Sequence, residues 1–191
     1  MRLVVGLRNP GAEYEGTRHN IGGEVAVALA RKNAGRLKRN SMRTRSEVAE
    51  MRLGDHRVVV AVPHSFMNHS GGPVSATLRT YKAPPSDLIV IHDDIDLEFG
   101  RFRLQIGGGS GGHNGVKSVI ASLGHGDFAR LKFGVGRPPS SVDPADYVLN
   151  KFSKAERSEV DTLIQEAVDV VELWITDPPR AQELAARFGR V

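Results

Sequence analysis

A single α/β domain, built on a twisted mixed β-sheet flanked by helices, is what this 191-residue chain predicts. Three observations carry that reading. Segments with the apolar periodicity of strands alternate with segments of helical periodicity, which is the order of an α/β domain. Two strand-like segments flank a turn at Gly54-Asp55, so the sheet contains a hairpin and is mixed. The runs Val58-Val59-Val60 and Leu88-Ile89-Val90-Ile91 are unbroken and apolar, as in strands covered on both faces. Hydrophobic residues make up 40% of the chain, enough for one core spanning residues 1–191, and no repeat or domain linker interrupts it.

The elements follow in order. Arg2 to Leu7 reads as the first strand, ended by Asn9-Pro10-Gly11. A helix starts near Asn20 or Ile21, with Ile21, Val25, Ala28 and Leu29 on one face, and fades at Asn33-Ala34-Gly35. Ser46–Leu53 and Arg57–Val62 form the hairpin, and Pro63 closes it. A helix runs from about Gly71 to Lys82 before Pro84-Pro85 breaks it. Leu88–Ile91 is predicted as the central strand and delivers His92-Asp93-Asp94. Arg101–Ile106 alternates as a strand, Val116–Leu123 has one apolar helical face, and Arg130–Gly136 alternates again. The remainder is helical, with Ser153 as N-cap and Val160, Leu163, Ile164, Ala167, Val168 and Val171 facing one way. Pro178-Pro179 is expected to interrupt that helix before a short tail.

Composition narrows the chemistry. With no cysteine, disulfides, thiolate metal sites and cysteine nucleophiles are excluded, and the chain suits a reducing compartment. The apolar run Leu3–Leu7 is too short for a signal segment or membrane span, so a soluble cytoplasmic protein is expected. Net charge is +4, but it is uneven: residues 31–57 hold nine Lys or Arg against three acids. Such a stretch suits a polyanion such as nucleic acid, or simply a solvated surface.

Between the Arg101–Ile106 strand and the following helix lies Gly107-Gly108-Gly109-Ser110-Gly111-Gly112-His113-Asn114-Gly115. Six glycines in nine residues exceed what a plain turn requires and allow close approach to a ligand. A dinucleotide fingerprint is excluded because the acid at the right distance, Asp127, precedes the next strand instead of closing it. A phosphate loop of the G-x-x-x-x-G-K-[ST] type fails because position 116 is Val.

Ligands of open α/β sheets sit at the carboxyl ends of strands. Asn9 with nearby His19, Asn68, Asp93 and the glycine-rich loop with Asn114 are all expected there. A histidine titrates near neutrality and serves as general base, a carboxylate orients it, and asparagine amides can donate to a developing oxyanion. One His, one Asp and several Asn together suit a water-activating hydrolase of an ester or amide; taken alone, His19 reads more readily as a helix cap, and Asn114 equally well as a left-handed turn residue. Asp93, Asp94 and Asp96 lie near His92, but His64, His69 and His92 lack recognisable metal-ligand spacing, and no metal or cofactor is expected. Met67 reads as packing.

Several motifs in register then point to a family. Val5-Gly6-Leu7-Arg8-Asn9-Pro10-Gly11, Tyr14, Thr17-Arg18-His19-Asn20, Phe66-Met67-Asn68 with Ser70-Gly71, His92-Asp93-Asp94-Ile95-Asp96 and the Gly107–Gly115 loop resemble bacterial peptidyl-tRNA hydrolases over nearly the whole chain. The resemblance implies a monomeric enzyme that cleaves the ester between a peptide and the 3′ end of tRNA, engaging the acceptor stem without a metal. It implies His19 as base, Asp93 as its supporting acid and Asn9 as the residue distinguishing peptidyl- from aminoacyl-tRNA. Asn68 and Asn114 match substrate-binding amides, Tyr14 and Phe66 line the site, and Lys132 matches part of a phosphate clamp. Arg8 replaces a usual Gly, Gln105 replaces a basic residue of some members, and Ala181–Leu184 lacks the family's Asn-containing pattern. A plant relative that serves in intron splicing supplies the alternative, a catalytically silent RNA- or protein-binding chain; a small-molecule esterase is a third reading.

Overall fold

The computed structural model describes residues 1–39 and 42–188. Its centre is β1 (Arg2–Gly6), hydrogen-bonded in parallel to β4 (His56–Pro63) on one side and to β5 (Leu88–Asp94) on the other. Beyond β5 lies β7 (Ala129–Gly134), also parallel. Antiparallel strands complete the sheet: β3 (Ser46–Leu53) pairs with β4, β2 (Lys38–Arg39) with β3, and β6 (Phe102–Ile106) with β7. The order of the seven strands is β2-β3-β4-β1-β5-β7-β6. The middle strand is therefore β1; Leu88–Ile91 lies beside it. A run covered on both faces marks a buried strand but cannot say which buried strand is innermost.

Helices cover both faces. On one face α1 (Ile21–Lys32), α5 (Lys154–Thr176) and α6 (Pro178–Arg187) pack against Val4, Ile89, Ile91, Leu131 and Phe133. On the other, α2 (Gly71–Tyr81) and α3 (Asn114–Leu123) cover Leu3, Val5, Val59 and Val90. Odd and even residues of β1 feed different layers because successive strand side chains point to opposite faces. Burying each such Leu, Ile or Val contributes roughly 1.5–3 kcal/mol.

The long helix ends at Thr176, before Pro178-Pro179, as expected, but two local features differ: a helix follows in place of a short tail, and another precedes α5. Pro178-Pro179 starts a helix: Asp177 caps α6 by accepting from the Arg180 N–H, and the prolines occupy the first turn, where no intrahelical donor is needed. A short α4 (Pro144–Val148), capped by Asp143, precedes α5. Ser153 caps α5 as expected, in a reciprocal box with Glu156.

One contact brings the elements of the site together. Gly6 and Gly22 let α1 press against the sheet: a Cβ on Gly22 would lie 2.1 Å from the Ile91 carbonyl oxygen, and one on Gly6 would lie 2.1 Å from that of Gly22. The Leu7 N–H donates to the Ile91 carbonyl and the Gly23 N–H to the Leu7 carbonyl, locking the start of α1 beside the ends of β1 and β5.

Candidate active site

The parallel strands all end on one side, and three loops leave from there as predicted. After β1, the Asn9 side-chain oxygen accepts from the Met67 N–H at 2.7 Å. Asn20, just before α1, brackets the Asn9 backbone, accepting from its N–H and donating to its carbonyl, both at 2.9 Å. With Oδ1 occupied, the Asn9 amide is left with its NH₂ as the free group. Met67, following β4, is 4% exposed and packs towards Gly115, so its thioether is filling and its backbone is the functional part.

The glycine-rich loop arrives differently. Because β6 is antiparallel to β7, Ile106 pairs with Ala129, the first residue of β7, at the amino end of the parallel strands. Asp93 pairs with Phe133. Four residues of strand separate those levels, about 13 Å. Residues 107–113 therefore form a strap that climbs the sheet, and its later part reaches the site. The expectation that the whole loop lies at the carboxyl end is corrected: a strand's direction is set by pairing, which local sequence does not display.

At the top of the strap His113 meets Asp93. One carboxylate oxygen, Asp93 Oδ1, takes both His19 Nδ1 and His113 Nε2 at 2.8 Å. Asp93 is 2% exposed. Burial alone raises its carboxyl, but the two imidazoles reverse this and hold it well below the usual carboxylate range. An ionised carboxylate only accepts, so both rings donate to it. His113 Nδ1 in turn accepts from the Gly115 and Val116 N–H groups at 3.1 and 3.2 Å, capping α3. Both nitrogens of His113 are committed. His19 spends only Nδ1, leaving the Nε2 lone pair for the cavities that it lines. Sequence singled out His19 and passed over His113; its position one residue before Asn114 was the available signal.

His92 completes the cluster. Its Nδ1 donates to the Asp93 carbonyl at 2.7 Å, and its ring meets His113 at 4.7 Å between centroids. Burial first, then the neighbouring His113, lower it from 6.5 to about 3, so it stays neutral at physiological pH.

Two hollows flank His19. One, about 300 Å³, is lined by Asn9, Phe66, Asn68, Asn114, Val148 and Leu149. The other, about 330 Å³, lies beneath Ser110–His113 and is bounded by Asp93, Ile95 and Asp143. His19, Asn114, Ala145 and Val148 belong to both. Tyr14 stands behind the first, edge-on to Phe66 at 6.3 Å. Arg18 ties down the segment that follows the Ala145–Leu149 lining: it lies over Tyr147, donates to the Lys151 carbonyl and pairs with Glu156 of the α5 cap.

Lys132 lines neither hollow; it sits on β7 with its ammonium 3.2 Å from Asp94. Arg8 also turns away, to Glu47 at 2.6 Å, and borders a cleft of about 790 Å³ near α1 and α5. That cleft is larger, but it lacks the His–Asp pair. The cations of residues 31–57 divide: Arg45 immediately precedes β3, level with the carboxyl end of β4, where its carbonyl accepts from the His64 N–H, while Arg52 and Arg57 flank the hairpin turn at the other end.

The family model described as Peptidyl-tRNA hydrolase matches residues 3–189. The chain belongs to the peptidyl-tRNA hydrolase family. It is 51% identical to a peptidyl-tRNA hydrolase of Frankia alni, over 92% of this chain and 88% of that one. Against that of Mycobacterium tuberculosis it is 50% identical, over 91% and 90%. The crystal structure of peptidyl-tRNA hydrolase from Acinetobacter baumannii superposes with a TM-score of 0.92 at 33% identity, covering 98% of this chain and 95% of that chain. The catalytically silent alternative finds no support beside this hydrolase family and the closed His19–Asp93 contact.

Proposed function

We propose that the protein hydrolyses the ester joining a peptide to the 3′ end of tRNA, as a metal-independent cytoplasmic monomer, with His19 as base. The observation that carries this reading is the asymmetry of the two histidines on Asp93: His113 is used up as donor and helix cap, and His19 keeps one free nitrogen between two hollows. His19 Nε2 takes a proton from water as the oxygen attacks the ester carbonyl carbon. The Asn9 NH₂, held by Met67, donates to the oxygen on which charge develops. As the carbonyl reforms, the bond to the ribose oxygen breaks and the His19 imidazolium returns the proton to it. The peptide leaves as a carboxylic acid that gives its remaining proton to solvent, and the tRNA leaves with a free 3′-hydroxyl. Asp93 holds the ring and stabilises the imidazolium.

The hollow with Asn68, Asn114, Phe66, Val148 and Leu149 suits a peptide, whose backbone needs donors and acceptors and whose side chains need apolar walls. The hollow under the strap then takes the terminal nucleoside. Proton transfer fits the cluster better than a cation does. Ligand-capable atoms of His19, Asp93 and His113 lie within 4.8 Å of one another. A cation on His113 Nε2 would need a proton on Nδ1, where the Gly115 and Val116 N–H groups already point. No described helix is long and apolar enough to cross a membrane.

The test is hydrolysis of N-acetyl-aminoacyl-tRNA beside unblocked aminoacyl-tRNA, with chelator present. Cleavage of the blocked substrate alone is expected. His19→Ala should lower turnover by at least a thousandfold while tRNA binding stays within about threefold, since the base touches no phosphate. Loss of binding together with turnover would remove His19 from this role.

A further inference from the structure

We propose that Arg130, with Gln105 beside it, is a positioning residue for the hydrolytic site: it pins the glycine strap and thereby places His113 and Asn114. Gln105 on β6 and Arg130 on β7 are direct cross-strand partners. Together they take three consecutive strap carbonyls. Gln105 Nε2 donates to Gly107 at 2.9 Å, Arg130 Nη2 to Gly108 at 2.6 Å, and Arg130 Nη1 to Gly109 at 2.5 Å. Arg130 Nη2 also reaches the Gly126 carbonyl at 3.2 Å, where the chain returns from α3.

Arg130 is 1% exposed and heads the largest fully buried side chains. It has no carboxylate partner among the described residues; carbonyl dipoles and the face of Phe128, 4.7 Å away, are its surroundings. A buried cation without an anion is costly, so the carbonyls that Arg130 satisfies have to offset its desolvation. What an apolar residue cannot do is hold adjacent carbonyls, and a lysine lacks the planar fork that spans them.

The strap needs such a hold. Gly107, Gly108, Gly111 and Gly112 all have positive φ, and a chain so rich in glycine loses much entropy on being fixed. Above the pinned part it turns through Ser110, whose carbonyl accepts from the His113 N–H, and delivers His113 to Asp93 and Asn114 to the groove. Gly126 is matched to the pin: a Cβ there would lie 2.6 Å from the Gly108 carbonyl oxygen and 2.9 Å from Arg130 Nη2.

The inference rests on the hydrolase reading, and its test separates the two. Arg130→Met, Asn114→Ala and the double variant are assayed on N-acetyl-aminoacyl-tRNA, and hydrogen exchange of residues 107–113 is measured without substrate. Arg130→Met should lower kcat/KM at least tenfold and speed exchange in the strap at least tenfold. Asn114→Ala should cost at least tenfold alone but less than twofold in the Arg130→Met background, because a loosened strap has already displaced Asn114. Arg130→Lys should be intermediate, and it carries the test if Arg130→Met does not fold. Additive losses, or full activity in either Arg130 variant, overturn the proposal. If the unmodified protein shows no turnover, the hydrolase reading falls, and unchanged strap exchange would sink the pinning claim separately.

Discussion

At the scale of single residues, the site is a problem of which atom is left free. Asn9 and His113 both spend hydrogen-bonding capacity on the fold, and their remaining atoms differ in consequence. Asn9→Asp keeps an oxygen for the Met67 N–H but replaces the NH₂ by an acceptor. It should cost about a hundredfold in kcat/KM, as for a lost oxyanion donor; steady-state kinetics at constant folded fraction checks this, and an undiminished rate would exclude the amide as donor. His113→Asn makes the complementary cut. Asn is a strong N-cap, so α3 should keep its stability within about 1 kcal/mol by denaturant unfolding. Asp93 loses one of its two donors, and kcat should fall roughly tenfold.

At the scale of elements, placement depends on close backbone approach. His19 reaches Asp93 because α1 starts against β1 and β5 with no side chain between them. Gly22→Ala puts a methyl 2.1 Å from the Ile91 carbonyl oxygen, and backbone must move to admit it. The expected cost is about 1–3 kcal/mol of stability. kcat should fall more than tenfold in protein that remains folded, since the shift carries His19 off Asp93. Thermal unfolding with kinetics below the transition tests both. The strap is the second such element: its glycines serve an ascent and a turn, and the polar groups beneath it set its path.

At the scale of the molecule, burying the His92 imidazole and the Asp93 carboxylate side by side makes stability depend on pH. His92 is lowered from 6.5 to about 3 in the fold. Between those values the unfolded chain holds a proton that the folded one does not, so this group's contribution is lost as pH falls from 6.5 towards 3. The slope is about 1.4 kcal/mol per pH unit for one proton. Asp93, also lowered, acts in the same direction in a lower window, its contribution being present above the ordinary 3.8 and lost as pH falls below it. His92→Gln should flatten the upper part by about one proton's slope, read from denaturant unfolding at pH 4 to 7; an unchanged slope would mean that His92 titrates normally in the fold.

The sequence by itself determined the α/β class, most elements and their caps, and the chemical types in the site. Periodicity, proline and glycine punctuation and the Ser153–Glu156 spacing are local signals, and local hydrogen bonding and burial obey them. It also singled out His19, Asp93 and the three asparagines, which the fold brings to one end of the sheet. Tertiary structure decided the rest. That β1 is central, that β6 runs downward and makes a strap of the glycine loop, and that Lys132 and Arg8 turn to Asp94 and Glu47 are outcomes of strand pairing and packing between distant segments. So is the difference between His19 and His113, which share Asp93 but whose second nitrogens meet different surroundings. The physical reason is common to all of these: which partner a polar group finds depends on which segments pack beside it, and no stretch of sequence contains its own neighbours.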